Sequence, residues 1–123
     1  MAAQAKAYAP YSRYRVGVAL VDENGAIHSG CNIENAAYPQ GWCAEASALS
    51  ALVMAGGKRV RGALVVGTGG EWITPCGGCR QKLREFADPD TPIVSANAEA
   101  LGPTYTLEQL LPHSFGPDHL SAA

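Results

Sequence analysis

The sequence predicts an α/β fold, a three-layer α-β-α sandwich around a central mixed five-stranded sheet. Three observations predict it. The elements read in the order β-β-α-β-α-β-(β)-α. An Asn-Gly turn joins the first two strands as a hairpin. Helices then stand between later strands, which calls for crossovers onto a shared sheet. Helices in such a layout begin at the carboxyl edge of the strands, where open α/β folds place their sites.

Taken in order, Met1 to Ala7 suits a short helix that Tyr8-Ala9-Pro10-Tyr11 breaks. Arg15 to Val21 is apolar on both faces and reads as a central strand. Asp22-Glu23-Asn24-Gly25 turns the chain, and Ala26 to Ile33 returns it. Asn35 to Trp42 is a loop. After Cys43, residues Ala48, Leu49, Leu52 and Val53 recur at helical spacing until Gly56-Gly57 stops the run. Arg61 to Gly67 is a buried strand, and Thr68 to Thr74 a loop. Pro75 is placed to start a second helix, whose stripe passes through Cys79, Leu83 and Phe86 and ends at Asp88-Pro89. Pro92 to Ala96 is a strand, a short strand near Pro103 to Tyr105 follows, and Thr106 to Leu111 forms a last helical turn.

Composition narrows the function. The 123 residues are 47% hydrophobic and 16% charged, enough for one domain, 1–123, with a real core. The net charge is −2 and the densest basic cluster is Lys58-Arg59-x-Arg61, a poor match to a polynucleotide backbone. Four cysteines in a chain of this size do not suggest a disulfide framework. No secretory pattern opens the sequence and no apolar run approaches a membrane span. A cytoplasmic protein is expected, without nucleic-acid or membrane partners.

The chemistry concentrates in Cys43-Ala44-Glu45 and Pro75-Cys76-Gly77-Gly78-Cys79. Three thiolates fill three corners of a zinc tetrahedron and leave the fourth for water, whose pKa the metal lowers. Glu45 is then free to move that water's proton. Two apart, Cys43 and Glu45 reach one site only if it lies over the first turn of a helix. Two helix N-termini facing one ion are inferred, their positive ends favouring thiolate. Two other readings compete. Cys31 as a fourth ligand would close the site into a staple, and Cys76-x-x-Cys79 alone would suit redox chemistry. The first leaves Cys31 without a near partner in sequence, and the second gives Cys43 and Glu45 no purpose.

Beyond the cysteines, Tyr8-Ala9-Pro10-Tyr11-Ser12, Val16-Gly17, Asn32-Ile33-Glu34-Asn35-Ala36-Ala37-Tyr38, Pro75-Cys76-Gly77-Gly78-Cys79-Arg80-Gln81 and Leu110-Leu111-Pro112-x-x-Phe115 occur in one order over nearly the whole chain. With them the sequence resembles the small homotetrameric, zinc-dependent cytidine deaminases. The resemblance implies hydrolytic deamination of cytidine and 2′-deoxycytidine with one Zn²⁺ per subunit. It also implies a homotetramer whose pockets are shared between subunits. Cys43, Cys76 and Cys79 match the metal ligands and Glu45 the proton carrier. Asn32 and Glu34 match the pair that binds the sugar 3′-hydroxyl, and the Ala44 backbone matches a contact to the pyrimidine carbonyl. Tyr14 falls where an aromatic packs near the base. Phe115 matches a C-terminal aromatic reaching a neighbour's pocket. Ala36 and Tyr38 match a segment approaching the 5′ end of the sugar from another subunit. The sequence departs from the family at Ala46, where an Arg commonly follows the catalytic Glu, and in a shorter N-terminal helix. Arg80 is one candidate to supply the missing positive charge. A deaminase of an antibiotic nucleoside such as blasticidin S is the alternative substrate reading, and a non-enzymatic zinc module the alternative class.

Overall fold

The computed structural model describes residues 2–97 and 99–121. A short helix α1 (Ala2–Ala5) precedes the hairpin β1 (Val16–Asp22) and β2 (Ile27–Cys31). A 3₁₀ turn at Tyr38–Gln40 leads to α2 (Ala44–Met54), then β3 (Val60–Gly67) and α3 (Gly77–Phe86). The chain finishes with β4 (Pro92–Ala96), β5 (Leu101–Thr106), α4 (Leu107–Leu110) and α5 (Pro117–Ser121).

The five strands form one mixed sheet in the order β2-β1-β3-β4-β5. β1 is antiparallel to both β2 and β3, β3 runs parallel to β4, and β4 is antiparallel to β5. Parallel neighbours cannot be joined by a tight turn, so α3 makes the crossover between β3 and β4. Strands β2, β3 and β4 therefore point the same way, and α2 and α3 both start beyond their carboxyl ends.

The layers follow from two glycines. Gly17 pairs with Cys31, and Val18 pairs with Gly30, so positions 17 and 30 face opposite sides of the sheet. A Cβ on Gly30 would stand 2.4 Å from the Ala48 nitrogen of α2. One on Gly17 would stand 2.6 Å from the Gln4 nitrogen of α1. Helices α1 and α2 thus cover opposite faces, as a three-layer sandwich requires. The main core lies on the α2 side, where Val18, Leu20, Val65 and Ile93 meet Ala48, Leu52, Leu83 and Leu107. On the α1 side Ala19, Val21, Leu64 and Val94 are only half buried, because α1 is one turn long.

Several elements differ locally from expectation. The hairpin is not a two-residue Asn-Gly turn. Gly25 donates to the Asp22 carbonyl at 3.1 Å and alone takes a positive φ, 82°. The loop is three residues long, with Gly25 in the left-handed position. β2 stops at Cys31 rather than Ile33, because the Asn32 side chain takes over as acceptor for the Val16 N–H. Pro75 stands outside α3, and Cys76 is the N-cap. α2 ends as expected: Gly57 and Gly56 donate to the Leu52 and Val53 carbonyls, and Gly56 has φ 89°. Helix α5 was not anticipated.

Candidate metal centre and substrate cleft

Each helix of the centre presents its cysteines at its first turn. Cys43 is the N-cap of α2 and Cys76 the N-cap of α3, while Cys79 lies three residues into α3. The chain reaches Cys43 through a closed excursion. Ile33 and Trp42 exchange backbone hydrogen bonds of 2.9 and 2.8 Å, so residues 34–41 leave and return at one point. Pro75 is fully buried and fixes the approach to Cys76.

The three sulfurs lie within 4.8 Å of one another, with Cys43 and Cys76 Sγ 4.0 Å apart. A zinc tetrahedron with bonds of about 2.3 Å places its sulfurs about 3.8 Å apart, so the donor set fits zinc in kind and in spacing. Among the described residues the cluster comprises these three alone. Cys31 is not part of it; its carbonyl instead accepts from the Ser47 hydroxyl on α2. A tris-thiolate set with no fourth protein ligand is the open arrangement of a catalytic site rather than a closed staple.

Without metal the three thiols are not equivalent. Burial pushes Cys79 well above the ordinary thiol range, and the nearby Glu45 charge adds to it. Cys43 is also raised, chiefly by burial. For Cys76 burial works in the same direction, yet the Cys79 N–H and the neighbouring thiols carry it below its usual value. Metal binding must displace protons from the two raised thiols.

Glu45, the second residue of α2, is 6% exposed. Burial raises its carboxyl above the ordinary glutamate value, opposed by its own backbone N–H, the Cys79 thiol and the Lys82 charge. A carboxyl raised toward neutrality beside a metal position is suited to taking and giving a proton.

A cleft of about 480 Å³ reaches the centre at Cys43, which stands in its wall; Glu45, Cys76 and Cys79 are not part of the lining. Asn32, Glu34 and Tyr38 line it, together with Tyr11, Ser12, Ile33, Asn35, Gly41 and Trp42. Asn32 and Glu34, expected to bind the sugar, both line the cleft and both also build its wall. Glu34 Oε1 accepts the Tyr11 and Ser12 N–H groups at 2.9 and 3.1 Å, and Oε2 accepts the Ser12 hydroxyl. These bonds hold its carboxyl below the usual value against partial burial. Asn32 accepts from Val16 N at 2.9 Å and donates to Tyr14 O at 2.9 Å.

Other predicted residues lie elsewhere. Ala44, the first residue of α2, is buried in the main core. Tyr14 does not line the cleft; its hydroxyl lies over Gly67 at the end of β3, 2.7 Å from where a Cβ would stand. Ala36 is exposed on the excursion loop. Phe115 is 58% exposed and stacks on His119, its carbonyl accepting from Gln81 at 2.8 Å on the outer side of α3. It stays outside the cleft of its own chain. Arg80, the candidate for the charge missing at Ala46, forms no hydrogen bond to the cysteine sulfurs or to Glu45. Its guanidinium donates to Pro75 O at 2.7 Å, Leu110 O at 2.7 Å and Thr74 Oγ1 at 2.8 Å, so it ties the cysteine loop to α4.

Sequence reasoning missed Ser12 and Trp42 as parts of the cleft. The Tyr8–Ser12 segment carried a signal for the first, but its role depends on a carboxylate 22 residues away.

Comparison with known proteins agrees with this geometry. The family described as "Cytidine and deoxycytidylate deaminase zinc-binding region" matches residues 1–95. A cytidine deaminase of Sporosarcina psychrophila is 39% identical over 121 residues, covering 98% of this chain and 89% of that protein. The crystal structure of a cytidine deaminase from Burkholderia pseudomallei superposes with a TM-score of 0.86 at 40% identity, over 93% of this chain and 91% of that one. The corresponding Mycobacterium tuberculosis structure gives 0.81 at 37% identity, over 94% and 89%. With its cysteine centre, its buried glutamate and a match spanning most of its length, the chain belongs to the cytidine and deoxycytidylate deaminase family.

Proposed function

We propose that the protein hydrolyses cytidine and 2′-deoxycytidine to uridine and 2′-deoxyuridine, releasing ammonia. The observation that carries this reading is the three-sulfur centre with buried Glu45 beside it, joined through Cys43 to a cleft of nucleoside size. Cys43, Cys76 and Cys79 are the residues that hold zinc. When bound there, zinc supplies Lewis-acid activation of water near neutral pH.

The protein's own part begins with Glu45. It takes one proton from the attacking water and delivers it to N3 of the pyrimidine; it then takes the second proton from the new C4 hydroxyl and hands it to the amino group, so that the C4–N bond breaks, ammonia leaves and the C4 carbonyl forms. Such shuttling is worth about 10²–10⁴-fold. The Ala44 backbone is the group assigned to the pyrimidine carbonyl.

Asn32 and Glu34 select the sugar. Each carboxylate oxygen accepts two hydrogen bonds, so Glu34 Oε2 keeps one position open beyond Ser12. Asn32 keeps a second amide hydrogen beyond Tyr14. Together they suit a hydroxyl, and free cytosine would leave them unpaired at a cost of about 1–3 kcal/mol. Tyr14, which lies over Gly67 outside the cleft, is assigned a packing role.

A homotetramer with shared pockets accounts for Phe115 and Ala36, which are exposed on the isolated chain and are assigned to a neighbour's cleft. Tyr38, expected to act from another subunit, lines the cleft of its own chain. Residues 1–123 act as one catalytic domain around one core cluster. Thiol ligands need a reducing compartment, which supports a cytoplasmic setting. Among the described residues no helix is long and apolar enough to cross a membrane.

The test is one parallel assay. The zinc-loaded protein is incubated with cytidine, 2′-deoxycytidine, cytosine and blasticidin S while absorbance and ammonia are followed. Turnover of the first two is expected. Turnover of blasticidin S alone, or of none, refutes the reading.

A further inference from the structure

Three thiolates around Zn²⁺ leave a net charge of about −1, and Glu45 adds a second anion when ionised. A partly buried centre of that charge holds its metal more firmly with a cation nearby. Two arginines on α3 are committed elsewhere. Arg80 is bound to three acceptors, and Arg84 bridges Ser114 and Asp118 at 2.9 and 2.7 Å.

Lys82 stands differently. It lies three residues beyond Cys79, on the same side of α3. Its ammonium folds back toward the start of the helix, with Nζ 3.8 Å from where a side chain at Gly78 would begin. It also shares the groove between α2 and α3 with Ala46, the small residue that follows Glu45. Helical side chains lean toward the helix start, so this geometry carries the ammonium over the turn that holds Cys79, where the helix's own positive end opposes it and thiolate charge favours it. The cysteine centre supplies that negative charge, with Cys76 and Cys79 at the start of the helix that carries Lys82.

We propose that Lys82 is the charge-balancing residue of the metal centre, a positioning cation on α3 that stabilises the tris-thiolate zinc site across the space left by Ala46. This rests on the zinc deaminase reading. Lys82 touches neither substrate nor metal; it acts through the thiolates and Glu45.

The test uses the full-length zinc-loaded protein and the variants K82R, K82Q and K82E. Position 82 is exposed, so these variants are expected to fold. Zinc transfer to a chromophoric chelator is measured at pH 7 in low salt and in 1 M NaCl, alongside kcat and KM for cytidine. K82Q is expected to lose zinc roughly three- to tenfold more readily, K82E more readily still, and K82R much as the parent does. The kcat should fall in the same order with KM nearly unchanged. The differences should shrink in 1 M salt, where the screening length is about 3 Å. Zinc held equally well by K82Q and the parent in low salt, or K82R as defective as K82Q, overturns the proposal. A parent protein that binds zinc but turns over no nucleoside defeats the deaminase reading, while the chelator measurement still judges Lys82.

Discussion

Asp22 and Glu45 are buried to nearly the same degree, 5% and 6% exposed, at opposite ends of one sheet. Asp22 closes the hairpin. Its Oδ1 accepts the Asn24 and Ala26 N–H groups at 2.8 and 2.9 Å, and its Oδ2 meets His28 Nε2 at 2.8 Å. Those bonds, His28 first, hold its carboxyl below the usual value. Glu45 has the reverse condition. Its principal influence is burial, which raises it. A carboxylate whose acceptor sites are filled is fastened and loses the basicity a proton carrier needs. One left short of strong donors remains ready to exchange a proton. Burial alone does not separate a structural carboxylate from a working one; the donors around it do.

That contrast can be broken from either end. The largest effect is expected for Cys76→Ala, which removes one corner of the centre. Zinc content by atomic absorption should fall to background and deaminase activity with it. Glu45→Gln should come next, with kcat lowered about 10²–10⁴-fold and zinc retained. The same variant probes linkage. A raised carboxyl lends stability that is complete below its unfolded pKa and lost as pH rises through the folded value. Zinc-free Glu45→Gln should therefore melt above the zinc-free parent at pH 7, and the two should converge toward pH 4.

Ser12→Ala should act more mildly. It removes one of the three hydrogen bonds that hold the Glu34 carboxylate and leaves Oε2 without its protein donor. The KM for cytidine should rise by about tenfold or more, with kcat less affected. Asp22→Asn should change activity least, within about twofold. Its effect belongs to stability, and the sign is opposite to that of Glu45. A lowered carboxyl contributes above its unfolded pKa and loses that contribution as pH falls through the folded value. The variant should melt below the parent at pH 7, with the gap narrowing as pH drops below the ordinary carboxylate range. Equal melting shifts with pH for Glu45→Gln and Asp22→Asn would erase the distinction.

What could be read in the sequence was what local chemistry decides. Cys43, Glu45, Cys76 and Cys79 belong to helix starts, where spacing of a few residues fixes direction, and Gly56-Gly57 announces its own stop. The alternating order of strands and helices was enough for the sheet. The rest depends on partners far along the chain. Glu34 could be named as a site residue, but not that it fastens Tyr11 and Ser12. Asp22 could be read as a turn residue, but not its grip on His28, because the turn type rests on which residue takes a positive φ. Arg80 was ambiguous until its three acceptors, one of them 30 residues away, were visible. Phe115 could be named as a site residue, but not that it stacks on His119 outside the cleft of its own chain.

Gly30 has a consequence for the chemistry although it lies outside the cleft. With no side chain there, the backbone of α2 rests directly on β2. The first turn of that helix carries both Cys43 and Glu45, so the strand acts as the datum from which two members of the centre are levelled. A single methyl group at position 30 would jack the helix away from the sheet and tilt its leading end. Damage at a residue with no functional atoms would then surface as a leaking metal and a misaimed acid, a defect easily mistaken for a lesion in the centre itself.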